Sequence, residues 1–272
     1  MRFVVLYSQE DEAGMNIAEQ LKNFYLPHVP IIKLEKETVY NEHIDIKDER
    51  LKEAEFIIFA TKHQSKAQVP SLSVHAPGNW RNADFGGKPG KVCKTSSLAL
   101  KFLFKQLVEN AKSMPSLEHN ITLECTHHGP LIENTPCCFI EIGSCSEQWK
   151  NPELGKIIAK TIADFQKFEE NNKDKNKDKI KSAIAIGGPH YCPNFNKIQL
   201  NNEEIAISHI IPEYAFPVSE NMLTEAIKKT KEQIDIIIVD WKGCGNSESR
   251  QKILDVIEKL GLKYERTERI EK

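Results

Sequence analysis

The adjacent histidines His127 and His128 carry the side chains in this sequence that are best suited to metal binding or acid–base catalysis. Neutral imidazoles combined with a carboxylate suit Zn²⁺, and an imidazole can also act as a general acid or base near neutral pH without a metal. Neighbouring side chains of a strand point to opposite faces, so both rings can reach one ion only if the strand has already ended. Gly129-Pro130 follows directly and is typical of such an end. The alternative is that the two histidines are unrelated surface or core residues.

Polar clusters follow four predicted strands. The strands with their clusters are Ile121–Thr126 before His127-His128-Gly129-Pro130, Cys138–Ile142 before Gly143-Ser144, Ala183–Ile186 before Gly187-Gly188-Pro189-His190-Tyr191, and Ile234–Val239 before Asp240-Trp241-Lys242-Gly243. Ligands of open α/β sheets bind outside the carboxyl ends of the strands. We therefore expect the four clusters to converge on one edge of one sheet.

A fifth cluster, His75-Ala76-Pro77-Gly78-Asn79-Trp80, lies in the segment Thr61–Lys94, which is rich in Gly, Pro, Ser and Lys. Loops of this length inside a domain are usually functional or disordered, and the residue types of the cluster favour a functional loop. Trp80 and Trp241 are either core anchors or rings that stack a nucleobase.

Two carboxylates, Glu124 and Glu141, fall inside predicted strands. A carboxylate within a sheet that is covered on both faces is costly unless it is paired or binds a metal. A structural salt bridge is the alternative for each of them. Glu141 is the better candidate for a ligand or a base, because it lies at the end of its strand, just before Gly143-Ser144.

Strand patterns alternate with helical patterns along the chain. The further strands are Phe3–Leu6 and Phe56–Ala60, and the helices are Met15–Phe24, Ser96–Val108, Leu154–Phe168, one capped by Ser219, and Ser247–Leu260. This alternation predicts an α/β fold with a mixed, mostly parallel sheet flanked by helices. We expect one α/β domain over residues 1–272, with the polar segment 169–181 as a solvated loop or a helix tail.

Composition excludes several classes of protein. The net charge of −2 excludes a globally basic nucleic-acid coat. No window approaches 18 consecutive apolar residues, and the apolar run Met1–Tyr7 is too short for a signal peptide. The seven cysteines include no CxxC pair, which favours reduced thiols in a cytosol. The sequence has no phosphate-binding GxxxxGK[ST], no GxGxxG after the first strand, no HExxH and no GxSxG. We expect a soluble, cytoplasmic protein.

Nine segments, taken in order, resemble the D-aminoacyl-tRNA deacylases of the archaeal and plant type. They are Asp11-Glu12-Ala13 with Asn16-Ile17, Lys62–Ser65, Val74–Trp80, Ala83–Gly90, Thr126–Pro130, Glu141–Ser144 with Trp149, Gly187–Tyr191, His209–Pro212 and Asp240–Gly243. Together they span nearly the whole chain. Ser208, where a glycine is expected, and Pro189, inside the Gly-Gly-His-Tyr pattern, depart from the family pattern.

The resemblance implies hydrolysis of the ester that joins a D-amino acid to the terminal ribose of tRNA. It also implies zinc dependence, with one ion or two, and a fold similar to peptidyl-tRNA hydrolase and the nucleoside phosphorylases. We expect the acceptor end of D-aminoacyl-tRNA as the partner, with no DNA and no membrane, and a monomer or a weak homo-oligomer.

Our hypothesis places the metal on some of His127, His128, His190 and Glu141, with His75 or His209 as a base or a further ligand. The backbone N–H groups of Gly187-Gly188 are candidates for holding the oxyanion of the tetrahedral intermediate. The residues expected to bind substrate are Asn79, Trp80, Gly187, Gly188, Tyr191, Asp240, Trp241, Lys242 and His63. The alternatives are a metal-dependent amidase or peptidase, a tRNA-binding module without catalysis, and a structural zinc protein.

Overall fold

The computed structural model describes residues 1–66, 68–112, 120–173 and 180–270. The strands are β1 (Phe3–Ser8), β2 (Ile31–Leu34), β3 (Phe56–Gln64), β4 (Ser71–His75), β5 (Gly78–Asn79), β6 (Lys91–Val92), β7 (Asn120–Leu123), β8 (Cys137–Ser144), β9 (Lys181–Ile186), β10 (Ile205–Ile211), β11 (Ile234–Val239) and β12 (Tyr264–Arg266). The helices are α1 (Glu12–Leu21), α2 (Ile44–Lys47), α3 (Ser97–Ala111), α4 (Ser146–Trp149), α5 (Pro152–Asp164), α6 (Phe168–Lys173), α7 (Pro193–Asn201), α8 (Glu220–Lys228), α9 (Ser247–Lys259) and α10 (Thr267–Ile270).

The larger sheet has the strand order β2-β1-β3-β8-β4-β7. Strands β2, β1, β3 and β8 are parallel to one another. Strand β4 runs antiparallel to β8 and parallel to β7, so the last two strands point the opposite way from the rest. This reversal brings the carboxyl end of β4 beside the first half of β8.

A second sheet has the order β10-β9-β11-β12, and all of its strands are parallel. The fold class expected from the sequence, a mixed and mostly parallel α/β arrangement flanked by helices, is confirmed. The expectation of one shared sheet edge is wrong, because β7 and β8 belong to one sheet and β9 and β11 to the other. Local periodicity identifies a strand but does not say which strands it pairs with. The expected likeness to peptidyl-tRNA hydrolase and the nucleoside phosphorylases stays a prediction.

Helices α1, α3 and α5 pack over the larger sheet. Helix α1 begins three residues before the predicted start, because the Asp11 carboxylate accepts a hydrogen bond from the Gly14 N–H at 2.9 Å and so caps the helix. Phe165, directly after α5, is 1% exposed and packs between Phe3 and Phe56, with ring centroids 5.2 and 5.4 Å away. Burying one such ring contributes roughly 1.5–3 kcal/mol to folding.

Helix α3 joins the two sheets through a buried lysine. The Lys101 ammonium group is almost fully buried and donates to the carbonyls of Gln199, Asn202 and Ile205 at 2.8, 2.7 and 2.8 Å. All three of its donors are therefore used, which is the condition under which a buried ammonium is tolerated. This contact fixes the second sheet against the first and so fixes the position of the loops that carry the site.

The segment Thr61–Lys94, expected to be a long loop, contains the end of β3 and the strands β4, β5 and β6. Strand β4 alternates between apolar and polar side chains: Leu72 and Val74 belong to the hydrophobic core on one face. Ser71, Ser73 and His75 lie at the alternate positions and are also buried. These polar residues of β4 explain why the composition of the segment predicted a loop.

Part of the polar segment 169–181 is helical, since α6 extends to Lys173 and β9 begins at Lys181. Residues 174–179 lie outside the described residues, so the expected solvated loop stays a prediction there. None of the helices in the described ranges combines the length and the apolar character that a membrane span requires.

Candidate active site

The site is built on one face of the larger sheet, across the strands β3, β8 and β4. Paired residues of neighbouring strands share a face, so each row of partners presents its side chains to the same side. The rows, written from β3 through β8 to β4, are Phe59–Phe139–His75, Thr61–Glu141–Ser73 and His63–Gly143–Ser71. Glu141 thus lies in the middle of the sheet face and not at the end of its strand as predicted.

The segment that follows β7 links the two sheets. The Glu124 N–H donates to the carbonyl of Val74 on β4 at 3.2 Å, whereas the Thr126 N–H donates to the carbonyl of Ile210 on β10 at 3.1 Å. Between them, the Cys125 N–H donates to the His190 carbonyl at 2.9 Å. The site therefore lies where the two sheets meet, and His190 reaches it from the second sheet.

Glu124 is the centre of one half of the site. It is 1% exposed, and its Oε2 atom lies 2.9 Å from His190 Nε2, 3.2 Å from His63 Nδ1 and 3.5 Å from His127 Nε2. One carboxylate oxygen thus contacts three imidazoles, which is a denser arrangement than a structural salt bridge requires.

Glu141 is the centre of the other half. Its Oε1 atom lies 3.6 Å from His75 Nε2 and 3.8 Å from His128 Nε2, and its Oε2 atom lies 3.4 Å from His63 Nδ1. The His63 ring consequently stands between the two carboxylates. On its other side, His63 Nε2 lies 3.1 Å from the Tyr191 hydroxyl.

His127 and His128 both face the site because β7 ends at Leu123 and His128 adopts a left-handed backbone conformation with φ of 46°. Their Nδ1 atoms lie 2.9 Å from the Cys125 carbonyl and 2.7 Å from the Gly129 carbonyl. A carbonyl accepts only from a protonated nitrogen, so both Nε2 atoms keep their lone pairs for the site. A left-handed conformation costs a residue with a side chain about 1–3 kcal/mol, and such strain is common at functional sites.

Burial and charge act against each other in this cluster. Burial alone would raise the pKa values of Glu124 and Glu141, but the surrounding histidines hold both well below their usual range. Burial likewise opposes a proton on His63 and His190. The two carboxylates nevertheless raise the pKa of His63 to about 11. Cys125 and Glu124 raise the pKa of His190 to about 10. The pKa of His127 is well below its usual range, because burial and the neighbouring histidines disfavour its charge. Two buried carboxylates thus require two positive charges nearby.

The donor atoms fit a metal ion. Three overlapping groups of side chains each bring their ligand atoms within 4.8 Å of one another: His63, Glu124, His127 and His190; His75, His127 and His128; and His75, Glu124 and Glu141. Zinc bound tetrahedrally at about 2.0–2.1 Å keeps its ligand atoms roughly 3.4 Å apart, close to the contacts of Glu124 and Glu141.

Three buried atoms of the site lack a hydrogen-bond partner of good geometry: His75 Nε2, Glu124 Oε1 and Glu141 Oε2. Leaving a buried polar atom unpaired costs about 1–3 kcal/mol, and more for a charged group. These three residues form one of the groups that can hold a metal. A divalent cation held by these residues would balance the charge of both carboxylates.

The cluster forms the floor of an open pocket of about 1090 Å³, which is large enough for a small ligand. Of the residues predicted to act on the substrate, those in its lining are His63, Asn79, Trp80, His127, His128, Glu141, His190 and Tyr191. Asn79 donates to the Gly86 carbonyl at 2.9 Å, and the Trp80 indole donates to the Ile210 carbonyl at 3.0 Å. Trp80 is 7% exposed, so little of its ring is open to a base.

The remaining predicted substrate residues lie outside this lining. The Gly187 and Gly188 N–H groups donate to the carbonyls of Ile211 at 2.8 Å and Gly243 at 3.4 Å, so neither is free to hold an oxyanion. Asp240 is buried and accepts a hydrogen bond from Asn194 at 3.0 Å.

Trp241 and Lys242 follow Asp240 and are likewise outside the lining. The guanidinium groups of Arg266 and Arg250 lie over the Trp241 ring, 3.4 and 5.1 Å from its centroid. This ring is therefore occupied by the protein's own cations.

His209 lies on β10, apart from the three groups that can hold a metal. It is fully buried, its Nδ1 atom lies 3.2 Å from the Thr126 hydroxyl, and its ring packs edge-on against Trp80. Burial lowers its pKa to about 4, although the nearby carbonyls of Lys229 and Cys93 favour the charged form. Its role as a base or a ligand stays a prediction, and its position favours a role in packing.

His209 should make the fold sensitive to acid. Its pKa rises from about 4 in the folded chain to the ordinary 6.5 in the unfolded chain, so between these values only the unfolded chain takes up the proton. Stability is full above pH 6.5 and falls as the pH drops towards 4, by about 2 kcal/mol between pH 7 and pH 4.5. The free energy of unfolding, measured in urea at pH 7 and at pH 4.5, should fall by about 2 kcal/mol less in His209→Gln than in the wild-type chain. Equal losses in the two proteins would contradict the assignment.

Sequence reasoning left Glu124 out of the site and gave His63 only a substrate-binding role. The structure places both among the atoms that can hold a metal. A signal for Glu124 was present, because a carboxylate within an apolar strand, three residues before His127, is costly unless it is paired. Cys125 and Tyr214 were also missed: Cys125 Sγ and the Tyr214 hydroxyl each lie 3.4 Å from His190 Nδ1 and 2.8 Å from each other.

Imidazoles and carboxylates buried at the floor of an open pocket, in a mixed α/β fold, are typical of metal-dependent hydrolases. The family model described as D-aminoacyl-tRNA deacylase matches residues 51–265. The chain belongs to this family, which confirms the resemblance seen in the sequence motifs.

Relatives match along nearly the whole chain. The D-aminoacyl-tRNA deacylase of Thermococcus kodakarensis is 36% identical over 279 residues, covering 96% of this chain and 98% of the relative. That of Methanocaldococcus jannaschii is 34% identical over 271 residues, covering 98% and 100%. The crystal structure of a conserved protein of unknown function, AF0625, is similar with a TM-score of 0.86 and 28% identity, covering 99% of this chain and 96% of that one.

Proposed function

We propose that this chain hydrolyses the ester between a D-amino acid and the terminal ribose of tRNA, releasing both and keeping D-amino acids out of translation. The proposal is carried by the histidine and carboxylate cluster at the floor of the pocket, in a chain of the D-aminoacyl-tRNA deacylase family. The acceptor end of tRNA can bring its ester to this floor, since the pocket is open to the surface.

Zinc is the metal that we propose for the site. His63, Glu124, His127 and His190 would hold one ion, and Glu141 with His75 would hold a second where two are bound. Bound zinc lowers the pKa of its water to about 7 and polarises the ester carbonyl.

The side chains of the pocket supply the remaining steps. Hydrolysis requires that a proton leave the attacking water and that one reach the departing ribose oxygen. Where a single ion is bound, Glu141, which lines the pocket, is placed to accept the first proton. The Tyr191 hydroxyl lines the pocket 3.1 Å from His63 Nε2 and is placed to donate the second proton to the ribose oxygen, after which water replaces it. The carbonyls of Cys125 and Gly129 hold the His127 and His128 rings in place.

The direct test is deacylation of matched D-tyrosyl-tRNA and L-tyrosyl-tRNA, followed by the amount of free tyrosine released with time. We expect release from the D-substrate at a rate at least tenfold above that from the L-substrate. N-blocked peptides in the same assay separate an esterase from an amidase or a peptidase. Salt-sensitive binding of tRNA with no release of tyrosine from either substrate would contradict the proposal and favour a binding module.

A further inference from the structure

Three aromatic side chains at the mouth of the pocket are unusually exposed. Tyr40, Phe85 and Tyr214 all line the pocket, yet they are 50%, 66% and 59% exposed. They are three of the eight large hydrophobic side chains that are exposed in the described part of the chain. Exposed apolar side chains that gather at one opening, and are not scattered singly, mark a binding surface.

Phe85 stands on a loop that is fixed against the site. The Phe85 carbonyl accepts from the Gly129 N–H at 2.8 Å, directly after the histidine pair. The next residue, Gly86, has φ of 68°, and a Cβ placed on it would lie 1.8 Å from the Val39 carbonyl oxygen. Only glycine permits this approach, so the Phe85 loop is pressed against the turn that carries Tyr40.

Tyr40 and Tyr214 also stand on anchored turns, one on each side of the opening. Tyr40 ends the 3-10 turn Thr38–Tyr40, and the adjoining Asn41 side chain donates back to the Glu37 carbonyl at 2.7 Å. Tyr214 lies in the 3-10 turn Glu213–Ala215, and its hydroxyl is 3.4 Å from His190 Nδ1. Tyr40 and Phe85 therefore flank the His128 side, and Tyr214 flanks the His190 side.

The tryptophans considered for stacking are not available for it. Trp80 is almost fully buried, and Trp241 lies outside the pocket under two guanidinium groups. Within the described pocket lining, Tyr40, Phe85 and Tyr214 are the aromatic side chains that are at least half exposed. Their rings have few rotatable bonds and their turns are already ordered, so binding a flat ligand costs them little entropy.

We propose that Tyr40, Phe85 and Tyr214 form a stacking site for the unpaired nucleobases at the 3′ end of tRNA. The inference rests on the proposed function, because an ester on the terminal ribose can reach the histidines only if its own base lies beside the pocket floor. Stacking of a base on an aromatic side chain contributes about 1–3 kcal/mol and tolerates any base, because every base has a π face. The site would thus hold the common end of all tRNAs without reading their sequence.

The test compares esters with and without a nucleobase. The substrates are 3′-O-(D-tyrosyl)adenosine and D-tyrosine ethyl ester, and the quantity is the ratio of their kcat/KM values. Phe85→Ala should lower this ratio about 5- to 150-fold, as expected from the loss of one stacked ring. Phe85→Trp should retain it. Tyr25→Ala is the matched control, since Tyr25 is 85% exposed and lies outside the pocket lining.

Binding of a fluorescent CCA trinucleotide gives a second measurement that needs no hydrolysis. Phe85→Ala and Tyr40→Ala should each weaken binding at least fivefold, and Tyr25→Ala should not. If these variants bind the trinucleotide more weakly but the wild-type chain hydrolyses neither ester, the proposed function is wrong and the stacking site stands. An unchanged ester ratio with unchanged trinucleotide binding would overturn the inference. An equal loss for both esters would also overturn it, because the rings would then hold the amino acid and not the base.

Discussion

Glu124→Gln is expected to lower kcat for D-aminoacyl-tRNA hydrolysis by about 10³-fold, which corresponds to roughly 4 kcal/mol of activation free energy. The reason is that one oxygen of Glu124 contacts His63, His127 and His190 at once. The amide keeps the shape of the carboxylate but removes its charge, and its N–H₂ group cannot accept from an imidazole or bind a cation.

Two measurements check this expectation. Single-turnover deacylation reports the chemical step, and atomic absorption reports the zinc retained per chain, which should fall together with the rate. Glu225→Gln is the matched control, because Glu225 also has a buried oxygen without a hydrogen-bond partner but lies on α8, where it pairs with Lys91. This control should keep both zinc and activity. A Glu124→Gln enzyme within threefold of the wild-type rate would show that this carboxylate is not part of the reaction.

Removal of the metal is expected to abolish deacylation. Dialysis against EDTA should reduce the rate to that of the uncatalysed ester, and stoichiometric zinc should restore it, because the imidazoles and carboxylates match the ligands that zinc prefers. Magnesium should not restore the rate, since it prefers oxygen ligands alone. Circular dichroism of the metal-free chain serves as the control for folding. Full activity in a metal-free preparation would contradict the zinc proposal and leave a histidine or Glu141 as the base.

Local elements of the fold were predictable from the sequence, because they depend on neighbouring residues. The Ser219 cap, whose hydroxyl accepts from the Met222 N–H at 3.3 Å, lies at the start of α8 as predicted. The apolar run Ile234–Val239 forms a strand with the bounds expected. Propensity and capping act over a few residues, and a single sequence displays them directly.

Pairing between strands was not predictable. Ser71–His75 forms an inner strand of the larger sheet although half of its residues are polar, because those residues face the site and not the core. For the same reason the sequence predicted a strand only over Phe56–Ala60, whereas β3 continues to Gln64 and so carries His63. Functional side chains interrupt the apolar pattern that a strand would otherwise show, so the elements nearest the site are the hardest to recognise.

The candidate site was predicted in its residue types but only partly in its members. His127, His128, His190 and Glu141 do come together, whereas Asp240 and Trp241 do not. The Cys125 N–H donates to the His190 carbonyl and so brings that residue to the site, whereas Asp240 follows β11 and its N–H donates to the Ile186 carbonyl within the second sheet. No local pattern encodes these contacts, because they join residues far apart in the chain.

The meeting of the two sheets has a consequence for biosynthesis. Glu124 and His190 are separated by 66 positions, and His63 and Tyr191 by 128, so the ligand set closes long loops. A chain emerging from the ribosome lacks the set of His63, Glu124, His127 and His190 until His190 has been made. Closure of such loops costs entropy that only the packed sheets can offset. Capture of the ion that we propose for this set would therefore report that both sheets have docked.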